Sequence, residues 1–168
     1  MNSSDFNKPA GTPTDYSLMQ QQAAAIVSGE PNLMANLANL SALLNEHLTD
    51  INWVGFYLTT GPSADELVLG PFQGKVACVR IPFAKGVCGT AASTGQTQLV
   101  ADVHAFSGHI ACDAATNSEV VVPVTVAGKV VAVLDIDSPS MGRFNEADKQ
   151  GLEGLLPVLQ SLDWSNYA

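Results

Sequence analysis

The chain has 168 residues, 46% of them hydrophobic, and carries 16 acidic against 7 basic side chains for a formal net charge of −9. That is the size of one ordinary domain with enough apolar material for its own core, so it needs neither disulfide staples nor a structural metal to fold. The acidic balance argues against nucleic acid and anionic membranes as partners, since both are held mainly through Lys and Arg, and no apolar run approaches the roughly 18–20 residues of a membrane span.

The opening MNSSDFNKPAGTPTDY lacks the apolar stretch of a secretory leader, so a cytoplasmic, reducing setting is expected. Residues 1–15, polar and rich in Ser, Asn, Pro and Gly, are expected to be a flexible tail ahead of one domain over 16–168. Tyr16 to about Ile26 patterns as a helix, which GEPN (29–32) breaks. A second helix from Pro31 to about Leu48 places Leu33, Leu37, Leu40, Leu44 and Leu48 on one stripe.

Strand-like text follows: NWVGFYL (52–58), the turn TTGPSADE (59–66), LVLGPF (67–72) and KVACVRIPF (75–83). KGVCGTAASTG (85–95) reads as a short helix opened by a glycine, TQLVAD (97–102) as a short strand and VHAFSGHIACDAATN (103–117) as a long loop. EVVVPVTV (119–126), the turn AGK and VVAVLDID (130–137) form a hairpin. In FNEADKQGLEGLLPVLQSL, Asn145 with Asp148 three residues on is a loose capping-box start to a last helix. This order predicts an α+β domain built on an antiparallel sheet.

Successive strand side chains point to opposite faces. Val54, Phe56 and Leu58 therefore share one face, as do Val120, Val122 and Val124, and Val130, Ala132, Leu134 and Ile136. These aliphatic faces suit packing under the terminal helices. The opposite faces carry Trp53, Tyr57, Glu119, Asp135 and Asp137, with Cys78 placed beside Val76 and Arg80 on the third strand. Two aromatics, three carboxylates and a thiol on one side of a sheet can hold an apolar group by stacking and a cation by charge. The plainer alternative is a merely solvated face, against which stands the poor fit of aspartate to exposed strands.

The cysteines fall as C-x9-C-x23-C, at Cys78, Cys88 and Cys112, without the paired C-x2-C knuckles of structural zinc sites. His104 and His109 are nearby candidates for ligands, but no metal is expected. An inert-thiol reading fits Cys78 best, because its neighbours are apolar, and Cys112 worst, because it sits in a polar loop directly before Asp113. Cys88 lies where a helix begins, and the backbone N–H groups there favour a thiolate or an anionic ligand. Two thiols able to meet would support a redox cycle in which one attacks and the other resolves.

Four long stretches, NWVGFYL, LVLGPFQGKVACVRIPFAKGVCGTAA, DVHAFSGHIACDAATNSEVVVPV and VVAVLDIDSPSMGRFNEADKQGL, closely resemble the free methionine-(R)-sulfoxide reductases, a GAF-domain family. The resemblance covers residues 17 to about 162 and includes all three cysteines. It implies a central antiparallel sheet of about six strands, with the N- and C-terminal helices on one face and the ligand pocket on the other. It also implies reduction of free L-methionine-(R)-S-oxide through a cysteine sulfenic acid and an intramolecular disulfide. No bound cofactor is implied; an external, thioredoxin-type dithiol would recycle a homodimer.

By resemblance, Cys112 matches the attacking cysteine and Cys78 a resolving one. Cys88 matches a position given either a resolving or an attacking role. Glu119, Asp135 and Asp137 match acidic substrate-site residues, and Trp53 and Tyr57 the aromatic wall around the S-methyl end. One of the three carboxyls would stay protonated to assist the sulfoxide oxygen while the others hold the α-ammonium group. Asp113 and His109 would shape the loop. The rival reading is a non-enzymatic GAF small-molecule sensor, for which three cysteines around one site are surplus.

Overall fold

The computed structural model describes residues 12–168; residues 1–11, most of the expected tail, lie outside the described part. Helix α1 (Tyr16–Val27) starts at Asp15, whose side chain accepts from the Leu18 N–H at 3.0 Å. Helix α2 (Leu33–His47) starts at Asn32, whose side chain accepts from the Ala35 N–H at 2.9 Å. Such caps satisfy N–H groups that have no partner inside the helix. The chain then forms β1 (Trp53–Thr59), β2 (Glu66–Gly74), β3 (Arg80–Pro82), α3 (Gly86–Thr94) and β4 (Gln98–Val100). A 3-10 turn at Val103–Ala105 precedes β5 (Ser118–Val126), β6 (Lys129–Ser138), α4 (Glu146–Glu153) and α5 (Leu156–Gln160).

All strands pair antiparallel in the order β3-β2-β1-β6-β5-β4, an α+β architecture as expected. The alternation sorts the faces as the sequence predicts except at the start of β6, where Val131 joins the helical core and Val130 packs on the other face, opposite a register irregularity at Val124/Thr125. Val54, Phe56, Val122, Leu134 and Ile136 join Leu37, Leu40 and Leu44 of α2 and Leu152 and Leu159 of α4 and α5 in one core. Trp53, Tyr57, Val121 and Val133 emerge on the other face, where α3 packs.

Three elements depart from the sequence expectation. The stretch KVACVRIPF is not one strand: only Arg80–Pro82 pairs, and residues 75–79 form a loop. Its alternation has no face to bury, since Val76 is 91% and Val79 59% exposed. Cys78 accordingly lies on this loop and not on a strand face beside Val76 and Arg80. Strand β4 is shorter than TQLVAD, covering only three residues. The last helix breaks in two between Glu153 and Leu156, because Pro157 has no N–H to continue the helical ladder.

The terminal helices are tied together at Asp148. It completes the expected capping box with Asn145 and accepts from Tyr16 Oη of α1 at 2.8 Å. Arg143 stands 3.5 Å from its carboxylate. Asp148→Ala keeps the Asn145 side-chain cap but removes the reciprocal half of the capping box, the acceptor of the Tyr16 hydroxyl and the partner of Arg143, a loss of about 2 kcal/mol. Thermal denaturation should therefore show a midpoint lowered by roughly 4–8 °C with unchanged secondary structure.

Candidate active site

Strand register brings the polar residues of the second face together. Asp137 pairs across from both Glu119 and Trp53, while Asp135 pairs across from Val121 and Gly55. The three carboxyl groups thus converge over the β1, β5 and β6 strands. Glu119 and Asp135 are 7% and 5% exposed, and Asp137 beside them is half-buried. Cys88, on the first turn of α3, is a buried free thiol with its Sγ 3.9 Å from Glu119 Oε2.

The aromatic wall stands at the other end. Trp53 stacks on Tyr57 at 5.7 Å and on Phe72 at 5.1 Å between ring centroids. Gly55 makes this arrangement: a Cβ there would collide with Phe72 and the Pro71 carbonyl. Both aromatics also hold the irregular loop 75–79. Trp53 Nε1 donates to the Lys75 carbonyl at 3.2 Å, and Tyr57 Oη donates to the Cys78 carbonyl at 3.0 Å. These bonds supply partners that a strand ladder would otherwise provide.

The loop from 103 to 117 closes the other side. Asp113 accepts from Asn52 Nδ2 at 3.0 Å and from the Ala115 N–H at 2.9 Å, and Asn52 also donates to Thr116 Oγ1 at 3.1 Å. Asp113 therefore shapes the loop, as expected. His109 stacks edge-on with His104 at 6.1 Å, and both burial and the His104 charge lower its pKa. A disulfide between Cys78 and Cys112, with Cα atoms 5.5 Å apart, fastens the two loops over the sheet. This overturns the inert reading that the apolar neighbours of Cys78 suggested.

Beneath this strap lies a cavity of about 40 Å³ lined by Trp53, Tyr57, Cys88, Cys112 and all three carboxyl groups. Seven of the eight sequence-predicted site residues line it, and Cys78 joins them through the disulfide. Ile81, Lys85, Ile110 and Thr116 also line it and were not singled out from the sequence. They lie at strand and loop positions whose inward direction is set by tertiary contacts.

Burial raises the pKa of all three carboxyl groups. For Glu119 and Asp137 the raise is large and is reinforced by the charges of their neighbours. For Asp135 it is partly offset by hydrogen bonding with Glu119, Asp137 and Cys88. Burial, followed by the Asp135 and Glu119 charges, also pushes the Cys88 thiol well up. The Tyr57 hydroxyl is raised by burial and then by Asp135, and so remains a donor.

A two-faced sheet with helices beneath and a loop-roofed pocket above defines a GAF domain, and the GAF-domain family model matches residues 34–158. The free methionine-R-sulfoxide reductase of Escherichia coli K12 is 54% identical over 147 residues, covering 88% of this chain and 87% of the relative. Among solved structures, the reduced form of the fRMsr of Staphylococcus aureus superposes with a TM-score of 0.84 at 51% identity, covering 92% of this chain and 97% of the other. The free methionine-R-sulfoxide reductase from Neisseria meningitidis, in complex with its substrate, gives 0.82 at 41% identity, covering 92% and 93%. The chain belongs to the GAF-domain family of free methionine-(R)-sulfoxide reductases.

The raised carboxyl pKa values carry a signature in stability. Between the unfolded carboxyl range near about 4 and the raised folded values, the native state keeps protons that the unfolded chain has released. The cluster's contribution is therefore most favourable below about pH 4 and is lost as pH rises through the folded values. Asp137→Asn removes one such group. Urea denaturation across a pH series should find the variant equal to wild type near about pH 4 and more stable above it, with the gap widening as pH rises.

Proposed function

We propose that the protein reduces free L-methionine-(R)-sulfoxide to L-methionine, using its own cysteines and an external dithiol. The observation that carries this reading is the Cys78–Cys112 disulfide lying over three buried carboxyl groups that have no cationic partner among the described residues. Such a cluster is poised for a substrate that brings its own cation and needs a proton.

In the reduced enzyme Cys112 is the attacking thiol. Its sulfur adds to the sulfoxide sulfur while a protonated carboxyl, Glu119 or Asp137, donates to the sulfoxide oxygen. The oxygen passes to Cys112 as a sulfenic acid and methionine leaves as the thioether. The Cys78 thiol then attacks the Cys112 sulfur, releasing water and forming the disulfide. A dithiol of the thioredoxin type returns both cysteines to thiols by exchange, its own pair becoming a disulfide. Cys88 stays a thiol held near Glu119 on the first turn of α3.

Asp135, where hydrogen bonds from Glu119, Asp137 and Cys88 oppose the effect of burial, is suited to hold the α-ammonium group as an ion. Trp53 and Tyr57 pack the S-methyl end. The N–H groups of Val87 and Cys88 in the first turn of α3, with Lys85 beside them, suit the α-carboxylate, the Gly86 N–H being taken by the Gly108 carbonyl. Peptide-bound methionine sulfoxide lacks the ammonium and would leave the carboxyl cluster without a cation. The cavity beneath the disulfide is smaller than the roughly 150 Å³ that holds a benzene molecule. Substrate entry therefore goes with disulfide reduction and separation of the two loops. We take residues 16–168 as the catalytic unit, working in the cytoplasm as a homodimer. No helix among the described residues is long and apolar enough to cross a membrane.

The cysteine roles separate in a single-turnover experiment on fully reduced protein without added reductant. Wild type and Cys78→Ser should each release one methionine per chain and Cys112→Ser none. A sulfenic-acid trap should label Cys78→Ser far more than wild type. Glu119→Gln should lower kcat/KM by about 10²–10⁴-fold, the usual worth of a general acid. Full activity in Cys112→Ser would overturn the assignment.

A further inference from the structure

The pocket floor also offers a ligand set for a role beyond sulfoxide reduction, built around the Cys88 thiol that the proposed cycle leaves unused. The Cys88 sulfur and one carboxylate oxygen each from Glu119 and Asp135 lie within 4.8 Å of one another, and all three residues are buried. Zinc bonds to sulfur at about 2.3 Å and to carboxylate oxygen at about 2.0–2.2 Å, which sets ligand atoms roughly 3.5 Å apart. The observed 3.9 Å between Cys88 Sγ and Glu119 Oε2 is already near that spacing. Small side-chain shifts would therefore complete a ligand set of one thiolate and two carboxylates.

An independent feature points to a cation here. Asp135 is only 5% exposed, lines the cavity, and its Oδ1 has no hydrogen-bond partner among the described residues. The same holds for Oδ1 of Asp137, which lines the cavity beside it. A buried carboxylate oxygen without a partner is costly, and a proton, an ammonium group or a metal ion relieves the cost. The arginine ion pairs among the described residues, Arg80–Glu66 and Arg143–Asp148, lie outside this pocket and supply no cation to it.

We propose that Cys88, Glu119 and Asp135 form an inhibitory binding site for a thiophilic divalent cation, zinc above all, on the floor of the pocket. The ion replaces protons: the Cys88 S–H proton and any carboxyl proton leave to solvent as the metal–ligand bonds form, and no electrons move. Thiolate ligation selects zinc and cadmium over magnesium and calcium, which favour all-oxygen shells. Asp137 Oδ1 is the nearest candidate for a fourth ligand. An ion seated there occupies the place of the substrate's ammonium group, so metal and substrate exclude one another. That last consequence rests on the proposed function, whereas the metal site itself does not.

The oxidised protein gives a clean test, because with Cys78 and Cys112 joined the sole free thiol is Cys88. Cadmium is titrated into metal-stripped, oxidised protein and the ultraviolet thiolate-to-cadmium charge-transfer absorbance is followed. The absorbance should saturate at one ion per chain, be absent from Cys88→Ser, and not appear with magnesium. Loss of an outer-shell partner already costs metal sites about 10–100-fold in affinity, so Glu119→Gln, which keeps the thiol, should cost at least about tenfold. Zinc should displace cadmium, and in reduced protein free methionine should weaken cadmium binding. Absence of the band in wild type, or equal cadmium affinity in folded Cys88→Ser, would overturn the site. Cadmium binding unaffected by methionine would overturn the inhibitory overlap. Because binding to oxidised protein is read without turnover, failure of this site is distinguishable from failure of the reductase reading.

Discussion

Three carboxyl groups share one patch of sheet, and among the described residues none of them has an ion-pair partner. A domain gains nothing in stability from such a patch: burial opposes each charge, and the charges oppose one another. Glu119, Asp135 and Asp137 are held in place because strands β5 and β6 commit their other face to the helical core. Val120, Leu134 and Ile136 alternate with these residues and are fully buried. A one-residue slip to relieve the carboxyls would expose that core. The architecture therefore fixes an unfavourable electrostatic site with favourable hydrophobic packing, leaving a pocket whose carboxyl groups are pushed toward the protonated form by burial.

The roof answers to the same constraint. Two irregular segments cross above the carboxyls, and neither could stay ordered through a sheet ladder of its own. Trp53 and Tyr57 hold one by its carbonyls, and the Asn52–Asp113–Thr116 contacts hold the other. The Cys78–Cys112 bond then joins them. Chemistry that makes and breaks this bond acts directly on the covering of the pocket. Cys88 is different in kind, anchored on the first turn of α3 and buried, so its thiol stays on the floor whatever the roof does.

Much of this was readable from residue order. The two-residue period of strands placed Trp53, Tyr57, Glu119, Asp135 and Asp137 on one face before any coordinates were needed, and Asn145 with Asp148 marked the start of α4. The pairing of Cys78 with Cys112 was a different matter. Their separation of 34 residues says nothing of it, and it entered through family resemblance alone. The loop 75–79 is not legible in the sequence, because its alternating apolar residues mimic a strand while its hydrogen-bond partners are side chains 21 and 22 residues earlier. Asn52 with Asp113, and Tyr16 with Asp148, are likewise distant pairs, 61 and 132 residues apart, that no local pattern announces.

The central claim is that the buried carboxyl cluster selects a free amino acid by its ammonium group and uses a proton to reduce the R sulfoxide. The most direct measurement compares three substrates with the reduced wild-type enzyme and one dithiol: free L-methionine-(R)-sulfoxide, its S epimer, and the N-acetylated R sulfoxide. Rapid reduction of the first and negligible reduction of the other two is the predicted result. Reduction of the N-acetylated compound at the rate of the free one would contradict the account, since the carboxyls would then have no cation to meet.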